Sequence, residues 1–400
     1  MALEVSALIY QAEVRPRKIP TLGSTPCLPS DKPSTYQEHP FYVDNKDVAF
    51  KHHQNDLRLS FLSDWDRVED LMHTPTEDCP IYFPPSLKLQ YDLEIEVQLA
   101  SDIQKWEFLS LFSPKLAKHG INMSHYCAFK SDLSYDRRVL LHKHTAWIFL
   151  MDEVSEMLPR YKLHNTAGKV YLQNLKCIMR NESIEDIMQF RGQCPDELLQ
   201  TALNVQRIFL EDLMPLKRKL LQPRHFQACI DAFDIFFDAQ YEEGHHFFIE
   251  QTSHQVLKTR GSTVGIQVPA ILSMTSANAE LYMANDPCIG QLGVLAAVFH
   301  DIIGLYKDLA AMKSEDDGSA LLNLVRLCMR EQNLSESEAS RLSAQKFNLL
   351  CRSYELFVDG FLPHLKEFYM ENLRFCFNFC DYNLNGIMGN PNNRYGWKIV

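Results

Sequence analysis

The sequence is most informative first in what it lacks. No apolar run is long enough to cross a bilayer; the longest, near "PCIGQLGVLAAVF", falls short. The opening stretch "MALEVSALIYQAEVRPRKIP" lacks the continuous apolar core of a signal peptide. The net charge is −11 and no broad basic patch is evident, which makes the chain a poor candidate for nucleic acid because phosphate backbones need grouped cations. There is no GxGxxG, no P-loop, no internal repeat and no low-complexity tract. The eleven cysteines are odd in number and form no CxxC pair or zinc spacing, so they are expected to be reduced thiols, mostly core filler. Alternating strand patterns are scarce. The expectation is a soluble, cytoplasmic chain.

What is present is helical periodicity. Residues 1–85 form a proline-containing arm, partly irregular. From 86 to 400 the pattern is that of one helical domain. Apolar residues recur at three and four in "LLHKHTAWIFLMDEVSEML", "PDELLQTALNVQRIFLEDLMPLKRKLL", "PRHFQACIDAFDIFFDAQYEEGHHFFIE" and "QLGVLAAVFHDIIGLYKDLAAMKSE". Prolines at 195, 215, 223, 269 and 287 mark expected breaks. The predicted fold class is all-α, a bundle of ten or more helices.

Within this pattern, "WIFLMDEVSE" raises a chemical question. An aromatic-rich helix segment ends in Asp152, Glu153 and Glu156, spaced so that they share a face. Such a turn either faces water or binds a cation. Mg²⁺ takes oxygen ligands, commonly one or two carboxylates completed by water and phosphate. Other polar clusters are less promising. His245 and His246 are adjacent and point about 100° apart on a helix, a poor chelate. His142 and Lys143 read as a polar helix face, and Cys376 and Cys380 as packing.

The stretch "WIFLMDEVSE" resembles the "WxFxxDDxxD" signature of class I terpene synthases, with Asp152, Glu153 and Glu156 at the first metal motif. "HDIIGLYKDLAAMKSEDDGSALLNLVRL" is similar to that family's second metal motif, (N/D)DxxSxxxE, and its flanks. Placed by those flanks, the motif falls on Lys307, Asp308, Ala311 and Glu315. "VLKTRGSTVGIQVPAIL" resembles the kinked helix "YLxLRRxTxGxxP", and "NNRYG" the closing Arg-Tyr pair, here Arg394 and Tyr395. The resemblance runs over residues 80–396.

That resemblance implies an α-helical bundle around an apolar cavity. It implies a prenyl diphosphate substrate, farnesyl or geranylgeranyl, whose head group is held by Mg²⁺ and basic residues while an allylic cation forms and cyclises. Asp152, Glu153, Glu156 and Glu315 would be metal ligands. Arg260, Arg394 and Tyr395 would bind diphosphate, Phe149 would line the pocket, and Gly265 would sit at the helix break that prompts ionisation. The partner is a small isoprenoid, with no membrane span and with a homodimer left open.

Four departures accompany the likeness. Glu replaces Asp at two positions of the first motif. Lys307 and Ala311 replace two ligands of the second, so fewer than the family's usual three Mg²⁺ ions, or none, are expected, with the Lys307 ammonium as a substitute charge. The diphosphate-sensing Arg falls on Gly261, so Arg260 serves only if the helix is locally rewound. The tryptophan usual before the Arg-Tyr pair is missing. Two alternatives to cyclisation of a prenyl diphosphate follow: metal-independent chemistry on a terpenoid-like molecule, such as rearrangement, cyclisation or C–N or C–O bond formation, and a non-catalytic binder of apolar ligands.

Overall fold

The computed structural model describes residues 93–374, apart from the intervals 125–132, 159–165, 247–250, 275–286 and 313–318 and positions 362, 364–365 and 371. The N-terminal arm, residues 1–85, lies outside the described residues, as do Glu315, Arg394, Tyr395, Cys376 and Cys380. Among the described residues there is no β-strand; the architecture is all-α. In chain order the helices are α1 (Leu93–Gln104), α2 (Pro114–Ser124), α3 (Tyr135–Met157), α4 (Thr166–Arg180), α5 (Asp196–Ile208), α6 (Met214–Leu220), α7 (Pro223–His246), α8 (Ser253–Thr263), α9 (Gln267–Leu272), α10 (Pro287–Met312), α11 (Leu324–Gln332) and α12 (Glu336–Val358). None is long and apolar enough to cross a membrane.

Sequence chemistry sets most of the helix ends. Pro195, Pro223 and Pro287 stand at or just before helix starts, where a missing N–H costs nothing. Thr252 and Gln255 form a reciprocal capping box on α8. Ser335 and Glu338 do the same for α12, at 2.8 and 3.3 Å. Asn333, with φ 54°, closes α11 in the left-handed region that asparagine tolerates.

Pro215 behaves differently from the expected break. The chain runs from α5 to α6 through a π turn at Phe209–Leu213, in which the Met214 N–H reaches back to the Phe209 carbonyl. Proline removes one helical donor and crowds the carbonyl four residues earlier. The widened turn accommodates that proline without ending the helix.

α3 is the central element. It packs against α1, α2, α5, α6, α7 and α9. Leu140, Leu141, Ala146, Trp147, Ile148, Leu150, Met151 and Val154 are all buried, so the helix is enclosed on most sides. Trp147 stacks on Phe209 at 4.4 Å and 10°, and its indole N–H donates to the Val205 carbonyl at 3.0 Å. Phe233 and Phe237 of α7 continue this aromatic layer, stacked at 5.3 Å. Burying each such ring contributes roughly 1.5–3 kcal/mol.

α8 and α10 cross at a pair of glycines. A Cβ added to Gly293 would lie 1.8 Å from the Gly261 carbonyl oxygen, so no side chain fits there. α8 ends at Thr263, and Gly265 follows with φ +69°. A Cβ at Gly265 would also press on the Phe236 ring at 3.2 Å. The chain then re-enters a helix at α9. The helix break read from "TRGSTVGIQVP" is therefore present.

Candidate active site

The acidic turn of α3 divides its three carboxylates. Glu153 is exposed, Glu156 is half-buried, and Asp152 turns toward α7 and α8. Asp152 Oδ1 accepts a hydrogen bond from Gln240 Nε2 at 3.1 Å. Partial burial, then the nearby charges of Glu243 and Glu153, push its carboxyl up to about 6; Arg260 and Gln240 pull it back. Among the described residues Oδ2 of Asp152 accepts no hydrogen bond. The Tyr171 hydroxyl lies near enough for Asp152 to raise its pKa further, above the effect of burial, and it is buried without a partner.

Arg260 is the hub of the site. One terminal nitrogen donates to Glu243 Oε1 of α7 at 2.9 Å. The other donates to Asp301 Oδ1 of α10 at 2.5 Å and lies 3.2 Å from His300 Nδ1. Burial works against its charge, but Asp301 and Glu243 more than offset this and raise its pKa. Asp301 is fully buried; burial opposes its ionisation and Arg260 overrides it, so its pKa falls. Arg260 reaches these partners from an uninterrupted α8. Gly261 holds the close crossing with α10, where an Arg would have no room.

Asp301 also anchors the start of α11. Its Oδ2 accepts from the Leu324 N–H at 3.0 Å, and its carbonyl accepts from Asn323 Nδ2 at 2.9 Å. Asn323 caps α11 through Oδ1 and donates to Asp308 Oδ2 at 2.7 Å. His300, Gly304 and Asp308 occupy successive turns of one face of α10. The spacing His300-Asp301-x-x-Gly304-x-x-x-Asp308 is also that of (N/D)DxxSxxxE, seven residues earlier than the placement by flanks. Two turns of helix bring seven residues almost back to the same face, so sequence spacing alone does not separate the two placements. The earlier placement puts its Asp301 on Arg260.

The predicted residues fall as follows. Asp152 and Arg260 lie together in this cluster, and Gly265 lies at the break two residues after Thr263. Phe149 is partly buried against the core. Lys307 and Ala311 belong to α10, but their side chains are outside the described part. Lys143 pairs with Asp212 at 3.0 Å, and His142 is buried. Gln240, Glu243, Asp301 and Asn323 were not singled out from sequence. Nothing in "DAQYEEG" marks Gln240 or Glu243, whereas the acid at Asp301 was visible in "HDIIGLYKD" at the Asp position of the motif.

No three ligating side chains are already assembled as a metal shell among the described residues. Asp152 keeps one carboxylate oxygen without a hydrogen bond among the described residues.

The sequence matches the family described as terpene synthase family 2, C-terminal metal binding, over residues 143–349. It is 45% identical to the (+)-bicyclogermacrene synthase TS4 of Penicillium expansum over 365 residues, 91% of this chain and 94% of that one. The fold resembles 2-methylisoborneol synthase of Streptomyces coelicolor A3(2), solved with Mg²⁺ and 2-fluoroneryl diphosphate. There the TM-score is 0.57 at 11% identity, over 82% of this chain and 99% of that one. It also resembles the reconstructed ancestral protein SVS_A2, with a TM-score of 0.56 at 16% identity, over 80% and 92%. The fold is that of the class I terpene synthases. The chain belongs to the terpene synthase family. It is an enzyme that ionises and cyclises a prenyl diphosphate.

Proposed function

We propose that the substrate is farnesyl diphosphate and the product a cyclic fifteen-carbon terpene, in keeping with the 45% identity to a bicyclogermacrene synthase. The observation that carries the site assignment is the convergence of Asp152, Glu243, Arg260 and Asp301 from four helices. Asp152 and Asp308 would hold Mg²⁺ from opposite helices, with Glu156 within the same turn as Asp152 and Glu153 toward solvent. Bound there, Mg²⁺ supplies positive charge that stabilises the departing diphosphate. Arg260 fixes the acidic residues around it and adds a cation that does not titrate away. Gly304 offers no ligand oxygen, which supports a smaller ion complement than three. Arg394, Tyr395 and Glu315 are proposed to complete the head-group clamp, with Lys307 as an added charge. Phe149 is proposed to line the hydrocarbon pocket, and Gly265 to shape the break. Among the described residues the thiols of Cys177, Cys194 and Cys229 are free, the last two of them buried, which supports a reducing, cytoplasmic setting.

The test is incubation with farnesyl and with geranylgeranyl diphosphate, with and without Mg²⁺, measuring hydrocarbon by gas chromatography and pyrophosphate by a coupled assay. Farnesyl diphosphate should be consumed with matching pyrophosphate release. EDTA or Asp152→Ala should reduce turnover at least about 100-fold. Continued turnover in EDTA, or preference for the twenty-carbon substrate, would refute this reading.

A further inference from the structure

One side-chain amide joins three helices at the centre of the site. Gln240 of α7 is buried. Its Nε2 donates to Asp152 Oδ1 of α3 at 3.1 Å and to the Thr263 carbonyl of α8 at 3.3 Å. Its Oε1 lies 3.2 Å from Ser155 Oγ, whose proton is shared with the Asp152 carbonyl at 2.9 Å. The surroundings fix which end of the amide is which: two acceptors face the nitrogen and one hydroxyl faces the oxygen. Both N–H groups and the oxygen of the amide are thus engaged, as a buried amide requires.

The three partners have different duties. Asp152 is the carboxylate with an unengaged second oxygen. Ser155 lies one turn further along the same acidic segment. Thr263 is the last residue of α8, where helix carbonyls lose their partners within the helix, and Gly265 turns the chain two residues later. Its carbonyl therefore depends on an external donor, and Gln240 supplies it. No common replacement does all three jobs. A glutamate would set a carboxylate against Asp152 and the carbonyl. A methionine fills the space but leaves both acceptors unmet.

We propose that Gln240 is a positioning residue that couples the acidic turn of α3 to the helix break after α8, so that a cation held at Asp152 tightens the peptide groups at 263–265. The inference rests on the metal-binding reading of Asp152 given above. By pinning Oδ1, the amide aims Oδ2 at the incoming ion. By holding the Thr263 carbonyl with the same nitrogen, it makes the shape of the break depend on where Asp152 sits. The partners that orient a metal ligand typically change metal affinity 10–100-fold when removed.

The experiment compares the wild-type chain with Gln240→Met and Ser155→Ala. Binding of Mg²⁺ with inorganic pyrophosphate is followed by thermal shift, and amide hydrogen exchange is followed across residues 264–267. In the wild type, Mg²⁺ and pyrophosphate together should slow exchange at 264–267. In Gln240→Met the Mg²⁺ half-saturation should rise about 10-fold or more, and that protection should disappear even at saturating metal. Ser155→Ala, which removes only the hydroxyl that orients the amide, should shift half-saturation in the same direction by a smaller factor, and it serves as the test if Gln240→Met does not fold. Unchanged half-saturation with unchanged protection in the folded variants would overturn the proposal, as would absence of Mg²⁺-dependent protection in the wild type. Wild-type protein that shows the protection but leaves farnesyl diphosphate intact would count against the substrate reading alone.

Discussion

Two cations in this molecule, Arg260 partly buried and Lys217 fully buried, are housed in opposite ways. Arg260 lies between carboxylates, Glu243 and Asp301, with Asp152 close by. Lys217 of α6 has no carboxylate within ion-pair distance among the described residues. It is fully buried, with its ammonium 4.3 Å from the Phe233 ring centre, 5.1 Å from Phe209 and 6.0 Å from Trp147, and 3.4 Å from His144 Nδ1. Burial pushes its pKa down to about 8, while that of Arg260 rises. Ring faces attract a cation but return less than a carboxylate does. One cation is thus held charged by its carboxylate neighbours. The other is a costly inclusion in the core, and its charge depends on pH.

Substitutions should separate these roles, with the largest effect at Arg260. Arg260→Met leaves Glu243 and Asp301 buried without their counter-charge. Unfolding free energy should fall by about 3–5 kcal/mol and turnover by about 100-fold or more. Arg260→Lys should recover part of the stability but little of the turnover, since a single ammonium cannot reproduce the two-armed contact. Thermal unfolding and a pyrophosphate-release assay measure both. Stability and turnover close to wild type in Arg260→Met would remove Arg260 from its place as hub.

The second change disturbs Arg260 and spares Lys217. Gly293→Ala forces α10 away from the Gly261 carbonyl, and with it Asp301 from Arg260. A stability loss on the order of 1–3 kcal/mol should accompany a drop in turnover of about 10-fold, since small displacements at a positioned site are expensive. The pH dependence of stability should stay as in the wild type.

The smallest effect on turnover belongs to Lys217→Met, which should change it less than about twofold. Its signature is in stability against pH. The fold binds the Lys217 proton less tightly than the unfolded chain does. Below pH 8 both states carry it and the penalty is constant. From about 8 to 10.5 the fold has released it while the unfolded chain has not, so stability rises with pH. Between pH 7 and 9.5 the wild type should gain about 2 kcal/mol relative to Lys217→Met in urea unfolding. A parallel pair of curves would show that burial does not lower the pKa of the lysine.

The two cations also differ in how far the sequence announces them. Arg260 stands in a recognisable stretch, but its partners do not show there: side-chain direction depends on where α8 crosses α10, which Gly261 and Gly293 decide together from distant positions. Lys217 lies in "PLKRKL", which reads as a solvated basic end. Helical periodicity supplied the all-α class and most helix starts, because Pro195, Pro223, Pro287 and Thr252 act locally. Asp152 was legible because an acidic turn on an apolar helix is locally odd. Gln240 and Glu243 were not, because their meaning comes from partners on α3 and α8. In "YEEGHH" the histidine pair draws attention away from them.

The π turn at Phe209–Leu213 carries a last consequence. A single widened turn absorbs one surplus residue and keeps the flanking segments in phase. Had the same residues wound as a plain α-helix, everything after 213 would be rotated by about 100°, and Lys217 would no longer enter the aromatic layer. The lysine is therefore sequestered by chain length as much as by composition. A relative one residue shorter at this point would show an ordinary helix, with its own side chain in that cage.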